Sequence, residues 1–150
     1  MFLLPACSAA TGTLHCGPDV TPYLFVYGTL RSVSPHTMSG VLAKRATLVG
    51  EATAQGLLFD LGSYPGAVQV VGSKSRIRGE LYRLRSPYAL TILDAYEACG
   101  PGDPRPHLFR RQATEVRLVG SGDSLHAWIY WYRGSIDGAD PILSGEYLGL

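Results

Sequence analysis

The chain has 150 residues, 46% of them hydrophobic and 17% charged, which is enough for one domain with a real core and too apolar for a disordered protein. Thirteen Lys and Arg against twelve Asp and Glu leave a net charge of +1, a poor footprint for nucleic acid and no lure for an acidic partner or a charged membrane. Eighteen glycines and ten prolines at so low a charge predict short strands joined by tight turns.

Residues 1–21 hold no sustained period and are broken by Gly12, Gly17 and Pro18, so they are expected as an extension ahead of one domain over 22–150. Met1 to Ala10 is apolar, and Leu4-Pro5-Ala6-Cys7 faintly resembles a lipoprotein cleavage box. No basic segment precedes it, and the apolar run is short for an export signal. No other stretch approaches the ~20 apolar residues that cross a bilayer. The three cysteines, Cys7, Cys16 and Cys99, are an odd number outside any metal-ligand spacing. Cys7 could pair with Cys16, but at least one thiol stays free in a monomer, which favours a reducing compartment. A cytoplasmic protein is expected.

The first clear element is Tyr23-Leu24-Phe25-Val26-Tyr27, an aromatic, β-rich run broken by Gly28, which reads as a buried strand entering a turn. His36–Arg45 is a weaker helical candidate. Strand-like runs follow over Ala46–Ala52, Ala54–Leu61, Ala67–Val71 and Ile77–Leu84, punctuated by Gly62, Tyr64-Pro65-Gly66 and Gly72-Ser73. Tyr64-Pro65-Gly66 reads first as a turn and second as a pocket wall. A helix then runs from Pro87 to about Ala98, with Ser86 as its cap, Pro87 in its first position and Gly100-Pro101 ending it. Finally, Arg111–Val119 and Leu125–Tyr132 flank Gly120-Ser121-Gly122-Asp123, a hairpin signal in which Trp128, Tyr130 and Tyr132 share one face of the last strand. There is no internal repeat and no linker that would divide the domain.

Glu97 is the residue with the clearest chemical potential. Leu90 and Leu93 form the inward stripe of the helix, and Glu97 lies seven and four residues beyond them, on that same stripe. A carboxylate there is costly unless paired, protonated or useful, and burial raises its pKa toward the range of a general base. Helical spacing alone also admits a second reading, in which Glu97 frays with the last turn and its head reaches water. Asp94, at the edge of the stripe, is expected to face solvent. Tyr27-Gly28-Thr29-Leu30-Arg31 follows an apolar strand, where backbone amides at a glycine can approach a carboxylate or a developing oxyanion. The spacing is that of neither a Walker loop nor a dinucleotide fingerprint. His15, His36, His107 and His126 are scattered, so no metal site is expected. Cys99 with His107 would be a thiol nucleophile and base, but no flanking pattern supports that pairing over a plain free thiol.

In order, Phe25-Val26-Tyr27-Gly28-Thr29-Leu30-Arg31, Tyr64-Pro65-Gly66, Arg78-Gly79-Glu80-Leu81-Tyr82, Leu93-Asp94-Ala95-Tyr96-Glu97, Phe109-Arg110-Arg111 and Ser144-Gly145-Glu146-Tyr147 cover most of the chain from Tyr23 onward. This ordered set resembles the γ-glutamyl cyclotransferase-like superfamily, in particular its γ-glutamylamine cyclotransferase and avirulence-induced-protein-like branch. The resemblance implies a small α+β fold, a single domain with a mixed, barrel-like sheet flanked by a few helices and a pocket at its mouth. The family's loop that holds the glutamyl moiety maps onto Tyr27, Gly28, Thr29 and Leu30, and its catalytic glutamate onto Glu97. Tyr64 and Arg111, from two further matching pieces, join the expected substrate contacts. Many relatives have Tyr where this chain has Phe109, and the stiff stretch from Gly100 to His107 is a departure beside the expected pocket.

The implied reaction is intramolecular. The substrate's α-amine attacks its own γ-carbonyl, closing 5-oxoproline and expelling an amine or amino acid, and it calls for no metal or cofactor. A non-enzymatic small-ligand-binding module on the same fold is the rival expectation, and a carboxylate at position 97 argues against it. A thiol-dependent acyl transferase acting through Cys99 is a second rival.

Overall fold

The computed structural model describes residues 7–10, 12–14, 21–28, 42, 44–62, 64–70, 72, 74–97 and 107–146. Near the start, β1 (Cys7–Ala10) and β2 (Gly12–Leu14) pair antiparallel as a two-stranded sheet of their own. The main sheet contains β3 (Tyr23–Val26), β4 (Ala46–Gln55), β5 (Leu57–Asp60), β6 (Pro65–Val68), β7 (Arg76–Leu84), β8 (Phe109–Leu118), β9 (Ser124–Tyr132) and β10 (Asp140–Pro141). One α-helix, α1 (Tyr88–Tyr96), lies between β7 and β8. Leu42, Lys44 and Arg45 are helical and end the His36–Arg45 candidate, whose earlier part lies outside the described residues.

The strand order is β10-β5-β6-β9-β3-β7-β4-β8, and β8 pairs back onto β9. Five strands, β9-β3-β7-β4-β8, therefore close on themselves, while β6, β5 and β10 extend as a wing from β9. The sheet is mixed, as expected: β3 and β6 both run parallel to β9, at Leu24↔Trp128 and Ala67↔Trp131, and the other described pairings in it are antiparallel. Because β8 occupies one edge of β9 along its length, β3 and β6 follow one another along the other edge.

Two cores result from the period of two along the strands. Leu24, Val26, Tyr82, Leu84, Trp128 and Tyr130 face α1 and pack on its Ala89 and Leu93. Phe25, Leu81, Ala127, Ile129 and Trp131 lie on the opposite face with Ala52, Ala54 and Ala67. An irregularity between Leu48 and Gly50 switches β4 between the two, so that Ala46 joins the first core and Ala52 the second. In the second core Trp131 Nε1 has no hydrogen-bond partner among the described residues, a cost of about 1–3 kcal/mol that the burial of its ring system offsets.

Several boundaries differ from the sequence reading, and two of them have a clear physical cause. A break between Ala52 and Ala54 was expected, yet β4 continues to Gln55 and the chain turns at Gly56. Thr53 pairs with Arg78 on one side and Arg117 on the other, so its backbone groups belong to two ladders and no turn can form there. Tyr64 does close a turn, where the Leu61 N–H donates to its carbonyl (3.0 Å), but Pro65 and Gly66 already belong to β6, opposite Asp60 and Phe59. Pro65 is the first residue of that strand, where proline is tolerated.

The β8–β9 hairpin and α1 match the reading closely. Phe109 pairs with Tyr132 and the register runs without slippage to Arg117↔Ser124, while Gly122 sits in the turn at φ 77°. The Ser86 hydroxyl accepts the Tyr88 N–H at 3.1 Å and Pro87 has helical dihedrals, but the regular helix begins at Tyr88, one residue after the expected start, with Pro87 in the capping position. Thr21, at the end of the expected extension, is fastened to β9: its carbonyl accepts the Trp128 indole N–H (3.0 Å) and its hydroxyl donates to the His126 carbonyl (2.7 Å). No helix among the described residues is long and apolar enough to cross a membrane.

Candidate active site

Among the described residues, Glu97 is the last held by a helical hydrogen bond of α1, its N–H donating to the Leu93 carbonyl at 2.9 Å. The helix thus orients the Glu97 side chain even though Tyr96 is its last regular residue. The side chain is half-buried, one turn beyond the buried Leu93 on the same stripe. Burial pushes its carboxyl up to about 7, with the negative charge of Asp94 acting in the same direction. Of the two readings that helical spacing admitted, a frayed and solvated head and a carboxyl withdrawn from water, the structure has the second.

Asp94 does not face solvent. Arg111 grips it with two parallel hydrogen bonds, Nε to Oδ1 at 2.8 Å and Nη2 to Oδ2 at 3.1 Å. The Tyr130 hydroxyl donates to the same Oδ1 at 2.7 Å. The hairpin builds this arrangement. Arg111 stands opposite Tyr130 in the β8–β9 ladder, so both side chains project from one face, and Trp128 lies two residues earlier on that face. The Arg111 guanidinium lies over the Trp128 ring at 4.4 Å from its centroid. Nothing in helical spacing could reveal that Asp94 has partners on two strands. The one available signal was the aromatic face of the last strand, where a tyrosine hydroxyl turned inward needs an acceptor.

Next along that face come Phe109 and Tyr132, packed edge to face at 5.4 Å, and Tyr64, whose ring is 5.8 Å from that of Phe109. Tyr64, Tyr96 and Tyr132 pack against the core beneath α1. The carboxyl at position 97 therefore stands at the end of a helix lined by aromatic rings.

Tyr27 follows β3 and is buried. Its hydroxyl donates to the Tyr130 carbonyl (2.5 Å) and accepts the Ala67 N–H (3.2 Å), which bridges the gap where β3 ends and β6 begins along β9. Burial raises its pKa strongly, the charge of Glu97 raises it further, and the Ala67 bond acts against both. The Glu97 carboxyl and the Tyr27 hydroxyl are thus electrostatic neighbours, although they sit on elements seventy residues apart. Gly28 comes next, where an added Cβ would lie 3.0 Å from Pro65 Cγ, so the loop after β3 runs close against the start of β6. Thr29 and Leu30 lie outside the described residues, as do Cys99 and the loop over 100–106. Of the expected site residues, then, Tyr64 and Arg111 lie on the α1 side of the sheet with Glu97 on the helix, Tyr27 belongs to the opposite core and reaches Tyr130 through its hydroxyl, and Gly28 abuts Pro65.

Known proteins share this sequence pattern and fold. Residues 24–149 match the family model described as γ-glutamyl cyclotransferase, AIG2-like. The γ-glutamylcyclotransferase family protein YtfP of Escherichia coli is 34% identical over 128 residues, covering 83% of this chain and 95% of that one. The solution structure of ytfP from Escherichia coli superposes with a TM-score of 0.58 at 28% identity, over 84% of this chain and 96% of that chain. The γ-L-glutamyl-butirosin B γ-glutamyl cyclotransferase of Niallia circulans is 35% identical over 114 residues, 75% of this chain and 67% of that one. YkqA from Bacillus subtilis has the same fold at a TM-score of 0.63 and 25% identity, with 85% of this chain covering 40% of that protein.

Proposed function

The chain belongs to the γ-glutamyl cyclotransferase, AIG2-like family, and from that premise we propose that it cyclises the γ-glutamyl group of a small γ-glutamyl amine or peptide to 5-oxoproline, releasing the amine, with Glu97 as general acid and base. The observation that carries this reading is the Glu97 carboxyl, withdrawn from water at the end of α1 and pushed up to about 7. A group poised there exchanges a proton in either direction near neutral pH.

The chemistry follows from the substrate. Its α-ammonium must lose a proton before the nitrogen can attack the γ-carbonyl, and the leaving nitrogen must gain one before the C–N bond breaks. Glu97 takes the first proton and returns it to the leaving nitrogen, the second proton of the attacking nitrogen passes through water to the freed amine as the lactam forms, and the cycle ends with the carboxyl as it began. Nucleophile and electrophile are already joined, so the remaining task of the protein is to fold the glutamyl chain into an attacking shape. Backbone amides from Gly28 to Leu30 are suited to hold the substrate and the negative charge that develops on the carbonyl oxygen. The Tyr27 hydroxyl is engaged within the sheet, so its residue contributes backbone rather than hydroxyl to that loop. Tyr64 contributes an aromatic wall, and Arg111 acts through Asp94.

The name of the Niallia circulans relative, which specifies γ-L-glutamyl-butirosin B, supports a small γ-glutamyl compound as substrate. Incubating the protein with γ-glutamyl amines and dipeptides and assaying 5-oxoproline tests the proposal. Production by wild type and its loss in Glu97→Gln is the expected result, and a Gln variant with near-wild-type turnover removes Glu97 from the reaction.

A further inference from the structure

Asp94 is the second carboxylate of α1 on the side of Glu97, and the proton cycle described above does not use it. It is gripped on three sides by hydrogen bonds to its charged form: two from the Arg111 guanidinium and one from the Tyr130 hydroxyl. Both donors project from adjacent, paired positions of the β8–β9 hairpin. The Arg111 guanidinium itself lies over the Trp128 ring. Bidentate pairing to a half-buried carboxylate is among the strongest and most directional contacts available to a side chain. These contacts lie one residue beyond the buried Leu93 and three before Glu97, so they bind the last turn of the helix and leave its first turn to Ser86.

We propose that Asp94 is a positioning residue: held by Arg111 and Tyr130, it fastens the last turn of α1 to β8–β9 and thereby fixes where the Glu97 carboxyl stands. The proposal rests on the reading of Glu97 as the acid–base group. Asp94 also has an electrostatic consequence. A negative charge three residues away on the same helix disfavours ionised Glu97, while the Arg111 charge that would oppose it is occupied by Asp94 itself. Among the described residues, Tyr64, Tyr82, Tyr96, Tyr130 and Tyr132 are the titratable side chains of the core packed on α1, Glu80 accepts a hydrogen bond from the Tyr82 hydroxyl, and Tyr27 feels the Glu97 charge from the opposite core.

Asp94→Asn tests the idea in the full chain. The substitution keeps the shape, removes the negative charge and releases the Arg111 cation, and both changes move the Glu97 titration downward. Followed by NMR on carbon-labelled glutamate, that titration should fall by roughly one pH unit or more. The acid limb of kcat/KM should move with it, and kcat should fall about 10-fold or more with KM changed less than threefold. A purely structural role for Asp94 would lower stability and leave the titration and the acid limb in place. A cooperatively folded Asn variant whose Glu97 titrates as in wild type overturns the proposal.

If Asp94→Asn does not fold, Tyr130→Phe decides instead. It removes one of the three hydrogen bonds without changing charge, so kcat should fall several-fold at constant KM, and an unchanged kcat overturns the proposal. The titration needs no substrate. Absence of 5-oxoproline from the wild-type protein would therefore refute the functional reading, while the Glu97 titration in Asp94→Asn would still decide whether Asp94 controls that carboxyl.

Discussion

Replacing Glu97 with Gln should make the protein more stable near neutral pH while abolishing most of its activity. Moving a carboxyl from its ordinary 4.5 to about 7 on folding corresponds to about 3 kcal/mol between the two protonation states. The side chain is half-buried rather than sealed, and solvent screening trims that figure to about 2 kcal/mol. The sign follows from linkage. Between pH 4.5 and about 7 the unfolded chain has released this proton while the folded one still holds it, so raising the pH favours unfolding. The penalty is absent below 4.5, grows across that window and is constant above about 7. Gln has the same shape and no proton to lose, so it escapes the penalty. Urea unfolding of both proteins at pH 4.5, 6 and 8 measures this directly. The variant should match wild type at the lowest pH, within a few tenths of a kcal/mol, and exceed it by about 2 kcal/mol at pH 8. In parallel, kcat should drop by roughly 10²–10⁴-fold with substrate binding changed much less. A stability difference that stays flat from pH 4.5 to 8 would show that the carboxyl is not raised by folding, and the case for Glu97 as an acid at neutral pH would go with it.

Other substitutions probe the frame around that carboxyl. Tyr27→Phe leaves the Tyr130 carbonyl and the Ala67 N–H without their shared partner in a buried seam, and should cost about 1–3 kcal/mol in denaturant unfolding. A loss below about 0.3 kcal/mol would mean the hydroxyl does not join β3 to β6. Gly79→Ala would drive a Cβ into the Val26 carbonyl oxygen and the Phe25 ring, and should cost about 3 kcal/mol or more, or prevent folding; a variant as stable as wild type would place β3 and β7 farther apart than described. Removing residues before Thr21 should leave a cooperatively folding domain, whereas removing Thr21 as well deprives the Trp128 indole N–H of its acceptor and should cost about 1 kcal/mol more. Equal stabilities for the two truncations would contradict that anchoring role. Cyclisation should be indifferent to chelators, and activity that vanishes with chelator and returns with a divalent ion would require a different mechanism.

Several parts of this protein were legible without coordinates. The start of α1 follows to within a residue from Ser86 and Pro87 because capping and proline geometry act locally, while the expected stop at Gly100-Pro101 lies outside the described residues. The inward position of Glu97 follows from its spacing to Leu93, and the pairing of β8 with β9 follows from alternating aromatics around a glycine-rich turn. All of these are local, so periodicity suffices to find them.

What the tertiary structure decided is non-local. Asp94 reads as a surface carboxylate on its helix and becomes a fixed one only because the hairpin register sets Arg111 beside Tyr130, seventeen and thirty-six residues away. Thr53 stays inside a strand because two ladders claim it at once. Tyr27, expected in the loop that holds the glutamyl moiety, has its hydroxyl bonded to both β6 and the residue Tyr130 of β9 because β3 and β6 share one edge of β9. Hydrogen bonds of this kind form only after distant segments have met, and no pattern within a single element carries their directions. The sequence alone determined which residues had chemistry to offer; the closure of the sheet determined which of them face one another.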